Sequence, residues 1–229
     1  SIFSHWRNLI KHSVKVDALD DWSILFELFE EIRDILRNLE GEALSTYRQG
    51  LEETILPLLP AKNIFRHLIK ARLIIEDPKA RTTEKPMERF RAAEPHSRAA
   101  LEIAMNAIKK SDILANWTES HWLTMRRVGN MRFAVLDTVN DFSQIEKEGD
   151  ALSKLVHNYG AKAGTRSAFH MRDIALLATL MKTRTLEQQS KPLPPAILKM
   201  LIHAKDNLHE YDTGRRHSAI LVLKRHGVK

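Results

Sequence analysis

Residues 165–189 read TRSAFHMRDIALLATLMKTRTLEQQ. Phe169, Met171, Ile174, Ala175, Leu176, Leu177, Ala178, Leu180 and Met181 place apolar side chains on nearly every side of a helix through this stretch. A helix that is apolar all round is covered by its neighbours, so the stretch predicts a central helix. Arg166, His170 and Arg172 in its first turns, and Lys182 and Arg184 near its end, bring both ends to the surface. Such a helix needs a shell of amphipathic partners.

The flanking sequence supplies them. Downstream, Pro192, Pro194 and Pro195 precede a helix carrying Ile197, Leu198, Leu201 and Ile202, and Gly214 precedes a last helix from Arg215 to His226, ended by Gly227. Upstream, Gly160 and Gly164 flank a loop. Ser143 with Glu146 three residues on is a capping-box pattern opening a helix through Ile145, Leu152, Leu155, Val156 and Tyr159. Thr118 or Ser120 caps a helix through Trp122 and Met125, which Gly129-Asn130 is expected to interrupt before Phe133, Val135, Leu136 and Val139. Pro95 suits the first turn of a helix running to about Lys110 and burying Ala100, Leu101, Ala104 and Ile108.

At the other end, residues 2–12 form a short leading helix. Trp22, Leu25, Phe26, Phe29, Ile32, Leu36 and Leu39 recur at spacings of three and four, with Glu27, Glu30, Glu31 and Asp34 on the outer face. Asp17 or Asp20 suits its N-cap and Gly41 its end. Leu44, Tyr47, Leu51 and Ile55 follow, stopped by Pro57 and Pro60. Ile64, Phe65, Leu68, Ile69 and Leu73 make the next apolar face, closed by Asp77-Pro78. No period-2 strand, internal repeat or low-complexity tract occurs. The expected fold is all-α, an irregular bundle of about eight to ten amphipathic helices around the central helix 165–189, with two lobes as a variant. The exposed basic loop 79–86 separates an N-terminal helical region with an acidic start, 1–78, from a basic helical region, 79–229, and the two are expected to form one compact unit.

The 229 residues are 43% hydrophobic and 28% charged, ordinary for a soluble globular chain. No apolar run reaches the about 18 residues of a membrane span, so no membrane partner is expected. The start shows no signal-peptide pattern, and Ser1 in place of Met suggests a processed or excised segment. The absence of cysteine excludes disulfides, thiolate zinc sites and cysteine nucleophiles, and fits an intracellular setting, cytoplasmic or nuclear.

Charge is unevenly spread. Residues 1–60 carry six Lys+Arg against eleven Asp+Glu, residues 61–135 fifteen against eight, residues 136–160 two against five, and residues 161–229 thirteen against five. Two basic blocks point to a polyanionic partner, nucleic acid first. The candidate contacts are Arg66, Lys70, Arg81, Arg89 and Arg91, then Arg126, Arg127 and Arg132, then Arg166, Arg172, Arg215 and Arg216. Gathered in one trough, they would meet phosphates with little regard to base sequence. Trp117, Trp122, Phe90 and His96 are candidates to stack on bases.

Other motifs are sparse. His121–Asn140 places Met125, Val128, Gly129 and Val135 roughly where a helix-turn-helix wants them, with Asn130, Met131 and Arg132 facing a groove. Residues 137–150, DTVNDFSQIEKEGD, resemble the second metal motif of class I terpene synthases through Asn140, Gln144 and Glu148 on one helix, with Gln144 where that family has Ser. That resemblance implies magnesium-assisted diphosphate chemistry, Asp20-Asp21 as the upstream acidic motif and Arg215-Arg216 as diphosphate ligands. Arg91 and His96 resemble the Arg-x4-His motif of the helical HEPN ribonucleases, which implies a histidine base and a phosphate-steadying arginine. His5 with His12, and Asp206 with His209, have spacings that share a helix face, but no dinuclear Glu-x-x-His set is present. Phosphate-binding glycine loops, a Rossmann fingerprint, Gly-x-Ser-x-Gly and His-Glu-x-x-His are lacking. The reading is a non-enzymatic module that binds nucleic acid through a basic surface or cleft, as a nucleoprotein or a chromatin- or RNA-associated factor does. The alternatives are a helical scaffold docking a protein partner or a second copy, and a terpene-synthase-like lyase. No catalytic residue, metal or cofactor is assigned.

Overall fold

A computed structural model of the chain describes residues 2–15, 22–77, 85–110 and 117–228, and the side chains of all of these except 14, 15, 165 and 166. Among the described residues there are ten α-helices and no strand. They are α1 (Ile2–Lys15), α2 (Trp22–Asn38), α3 (Gly41–Gly50), α4 (Ile64–Ile75), α5 (Pro86–Lys110), α6 (Glu119–Thr138), α7 (Phe142–Tyr159), α8 (Gly164–Gln188), α9 (Pro195–Asp206) and α10 (Thr213–Arg225). A π-helical turn (Leu51–Ile55) and a 3-10 turn (Leu56–Leu58) extend α3, and a second 3-10 turn (Gly160–Ala163) leads into α8. The helices sort into two compact units. One is Ser1–Asn106 with Thr118–Val139; the other is Ala107–Trp117 with Asn140–Lys229.

The first unit is built on the α2 stripe. Trp22, Leu25, Phe29, Ile32 and Leu36 are all buried, as are Phe65, Leu68 and Ile69 of α4, which packs against α2. Trp22 and Phe29 meet Phe65 at ring distances of 6.3 and 6.4 Å. A second aromatic group joins α1 to α3: Phe3, Trp6 and Tyr47, with centroids 5.4 to 6.2 Å apart. The Phe3 ring lies where Gly50 has no side chain; a Cβ there would be 2.6 Å from it. Offset and edge-on rings add to the area they bury.

In the second unit the expected central helix takes that position as α8. Met171, Ile174, Leu176, Leu177, Ala178, Leu180 and Met181 are buried, and α7, α9 and α10 all pack on it. Its contact with α7 is close at Gly149, where a Cβ would lie 3.2 Å from Met181 Cβ and 3.5 Å from the Ala178 carbonyl. Thr179 and Thr183 each donate a hydroxyl to the carbonyl four residues back, at 2.9 Å, which satisfies polar groups along this packed helix.

Four local expectations are corrected. Gly41 does not end α2; it opens α3 at φ +57°, while Asn38 caps α2 by donating from its side chain to the Asp34 carbonyl at 2.8 Å. Pro95 is not a helix start. It lies within α5, which begins at Pro86, and both Pro95 and Arg91, whose carbonyl loses its helical donor, are exposed. Gly129-Asn130 does not interrupt α6, which runs unbroken through it. The cap of α7 is Asp141, not Ser143; its carboxylate accepts from the Gln144 amide at 3.0 Å, after Asn140 turns the chain at φ +58°. The proposed caps Asp17 and Asp20 lie outside the described residues, as does most of the loop 79–86.

Candidate functional site

The first two basic groups belong to the first unit, and most of their charge is used within it. Arg66 reaches back from α4 to the carbonyls of Leu56 and Leu59, the open end of the turn before it. Arg89 donates to the Ile75 carbonyl at 2.8 Å, closing α4. Arg127 on α6 grips Glu30 of α2 with two bonds of 2.8 and 2.7 Å. Arg132 is 1% exposed and holds Glu94 at 2.9 Å and Ser97 at 3.1 Å on α5. Such a group is out of reach of any phosphate. Lys70 and Arg126 are half-buried and Arg91 is exposed. Arg81 lies outside the described residues.

These pairings explain the acidic face of α2. Glu30 takes both Arg33 and Arg127, and Glu31 accepts from Trp6 Nε1 at 3.1 Å. Arg72 stands nearby, paired with Glu76 at 3.3 Å. Burial, and then the charges of Arg37, Arg33 and Arg127, pull its guanidinium down to about 10. Burial pushes the Glu94 carboxyl up, but hydrogen bonds from Arg98 and Arg132 outweigh this and hold it below the usual carboxylate range.

In the second unit, Arg215 is also buried, with Nε 2.7 Å from Asp173 of α8. Arg216 donates twice to the Lys205 carbonyl at the end of α9, at 3.1 and 2.9 Å. Arg172 is exposed and 3.3 Å from Glu210. The side chain of Arg166 lies outside the described residues. The named cations are thus divided between the two units.

Cations that the candidate set left out come together instead. The last turns of α8 and α10 meet the proline-rich loop in a cleft of about 650 Å³ lined by Arg184, Glu187, Lys191, Arg225 and His226. Arg225 grips Glu187 with bonds of 2.9 to 3.1 Å, and His226 Nε2 lies 3.2 Å from the same carboxylate. Arg184 lies over the Phe142 ring at 5.1 Å. Lys191, Lys224 and Arg225 are exposed. Part of the signal for this group is Lys224 and Arg225 in the last turn of α10, where cations are favoured by the helix dipole. Their convergence depends on α8 and α10 packing together, which spacing alone does not reveal.

The remaining motifs disperse. Continuous α6 leaves no turn for a helix-turn-helix. Asn140 lies before α7 rather than on it, and Gln144 donates to Glu148 at 2.8 Å, so the terpene-synthase-like triplet does not share a helix; Asp20-Asp21 lies outside the described residues. Arg91 and His96 do share α5, but five residues turn about 140° around a helix, and they point apart. No group of three metal-ligating side chains occurs among the described residues. Trp122 is in the core, 2% exposed, and cannot stack on a base. Exposed large apolar side chains among the described residues are Ile2, Met87 and Leu221, on three different helices, and Leu208, in the turn after α9. No helix among the described residues is long and apolar enough to cross a membrane. No protein-family model, curated protein or solved structure matches the chain.

Proposed function

We propose that the protein is a non-enzymatic module that binds nucleic acid through phosphate contacts on the cationic cleft of its second unit. The observation that carries this reading is the grouping of Arg184, Lys191, Arg225 and His226 on the lining of one cleft, with Lys191 and Arg225 exposed. A shallow cationic cleft of this kind suits a backbone of repeating phosphates and makes no demand on base identity.

The test is a fluorescence titration with short RNA and DNA at several salt concentrations. Each phosphate contact contributes a log–log slope of about −0.7 to −0.9. Charge reversal at Arg184, Lys191 and Arg225 together is expected to flatten the slope by about two to three units, whereas Arg91→Glu on the first unit leaves it unchanged. A slope near zero for the parent chain, or a triple variant that binds as the parent does, overturns the reading. The scaffold alternative has one feature in its favour, a groove of about 480 Å³ on α2 lined by Glu31, Asp34, Ile35, Asn38 and Leu39, suited to a basic, partly apolar segment of a protein partner.

A further inference from the structure

One carboxylate lies among the cations of the cleft in the second unit. Glu187 stands in the last turn of α8, where the helix dipole disfavours an acid. Its side chain is 15% exposed, and the end of α10 closes on it. Arg225 Nε and Nη2 donate to its Oε1 at 3.1 and 2.9 Å, and Nη2 also reaches Oε2 at 3.0 Å. His226, the residue that caps α10, brings Nε2 to 3.2 Å from Oε1. A carboxylate only accepts, so this Nε2 carries a proton.

Three N–H donors thus converge on one anion. The Nε–Nη2 fork of a guanidinium fits carboxylate and phosphate alike, because each offers it two oxygens. The edge of Arg225 best shaped for a phosphate is therefore already filled from within the chain. The filling is exchangeable. The Arg225 side chain is 54% exposed, and ion pairs in such settings contribute little because water screens them. An arriving strand offers one phosphate for that edge and others for Lys191, exposed on the same lining.

We propose that Glu187 is a built-in competitor for the cleft: it occupies the seat of one backbone phosphate, and nucleic acid binds by exchanging a phosphate for this carboxylate on Arg225 and His226. The inference rests on the reading of the cleft as a nucleic-acid site and adds how that site is regulated. Each binding event must first break the Glu187 pair, so Glu187 holds the affinity down and lets the strand leave quickly.

The experiment is a titration of the full chain with short fluorescein-labelled oligothymidylate and oligouridylate, run on a double-mutant cycle. Glu187→Gln keeps the shape and removes the charge. It is expected to tighten binding about three- to fivefold, the affinity equivalent of releasing one partly exposed ion pair. In an Arg225→Gln background the same change is expected to bring little or no gain, whereas a general charge effect, or a loosened chain with its cations exposed, would keep the gain. In proton–nitrogen spectra of the parent, the Arg225 Nε–H signal should shift when oligonucleotide is added, as its acceptor changes. No binding by the parent or by Glu187→Gln at low salt rejects the nucleic-acid reading and the inference with it. A parent that binds while Glu187→Gln binds no tighter overturns the inference alone. So does a gain that persists without Arg225, or an Arg225 signal unmoved by bound ligand. A merely structural clasp predicts that first pattern, a lower melting temperature with unchanged affinity.

Discussion

At the scale of single residues, charge in this molecule is more often structural than displayed. Arg132 is the clearest case, a guanidinium buried beside Glu94 and Ser97. Glu94 keeps Arg98 when Arg132 is removed, so Arg132→Ala loses the charged hydrogen bond and should cost about 1.5–3 kcal/mol in urea unfolding. Arg132→Met with Glu94→Leu should recover much of the loss. Glu94 also predicts an acid limit. Its folded carboxyl sits below the unfolded value, so the stability it contributes is present above about pH 4.3 and is lost as pH falls toward the folded value. Glu94→Gln should flatten the stability curve across that acid range. His67 and His96 work in a higher window. Both bind protons less well folded than unfolded, so stability should decline as pH drops below about 6.5. Replacing both with Gln should remove that decline, as followed by thermal melts across that pH range.

At the scale of elements, the helices were readable and their joints were not. Pro95→Ala tests the longest reassigned element. A proline within α5 costs up to about 3 kcal/mol relative to alanine, so the substitution should raise the melting temperature; at a first turn it would bring no gain. Gly149→Val probes the α7–α8 contact, where even a Cβ is tight against Met181. Overpacking of about 1–3 kcal/mol is expected. The apolar stripes of α2, α4 and α8 were legible because burial of positions three and four apart is written in local spacing. Gly129-Asn130 and Pro95 misled because a breaker states only a local preference. In α6 that preference is opposed by Arg127 bonding to α2 and Arg132 bonding to α5, on either side of the glycine. The candidate site was legible only in part for the same reason. The chain shows that Arg66 and Arg216 are cationic, but not that backbone carbonyls of Leu56, Leu59 and Lys205 lie within their reach. The cleft cations Arg184 and Arg225 are far apart in the chain and come to one cleft through the packing of α10 on α8, with Arg225 held by Glu187.

At the scale of the whole molecule, the acidic start and the first basic block are partly each other's counter-charge. Glu30 takes Arg127 from 97 positions away, and Arg48 reaches Asp77. Net charge by segment therefore overstated the cations left for a partner in the first unit. In the second unit Lys191, Lys224 and Arg225 are exposed, and the proposed binding there would report itself through its salt dependence. One arrangement in the first unit also bears on how the protein is made. Glu30 and Glu94 are translated well before Arg127 and Arg132, so a nascent chain must hold both acids with only their local partners, Arg33 and Arg98, until α6 leaves the ribosome. Completion of that unit is consequently a late event in synthesis, and a pause ahead of residue 119 would leave the α2 and α5 faces open to passing chaperones.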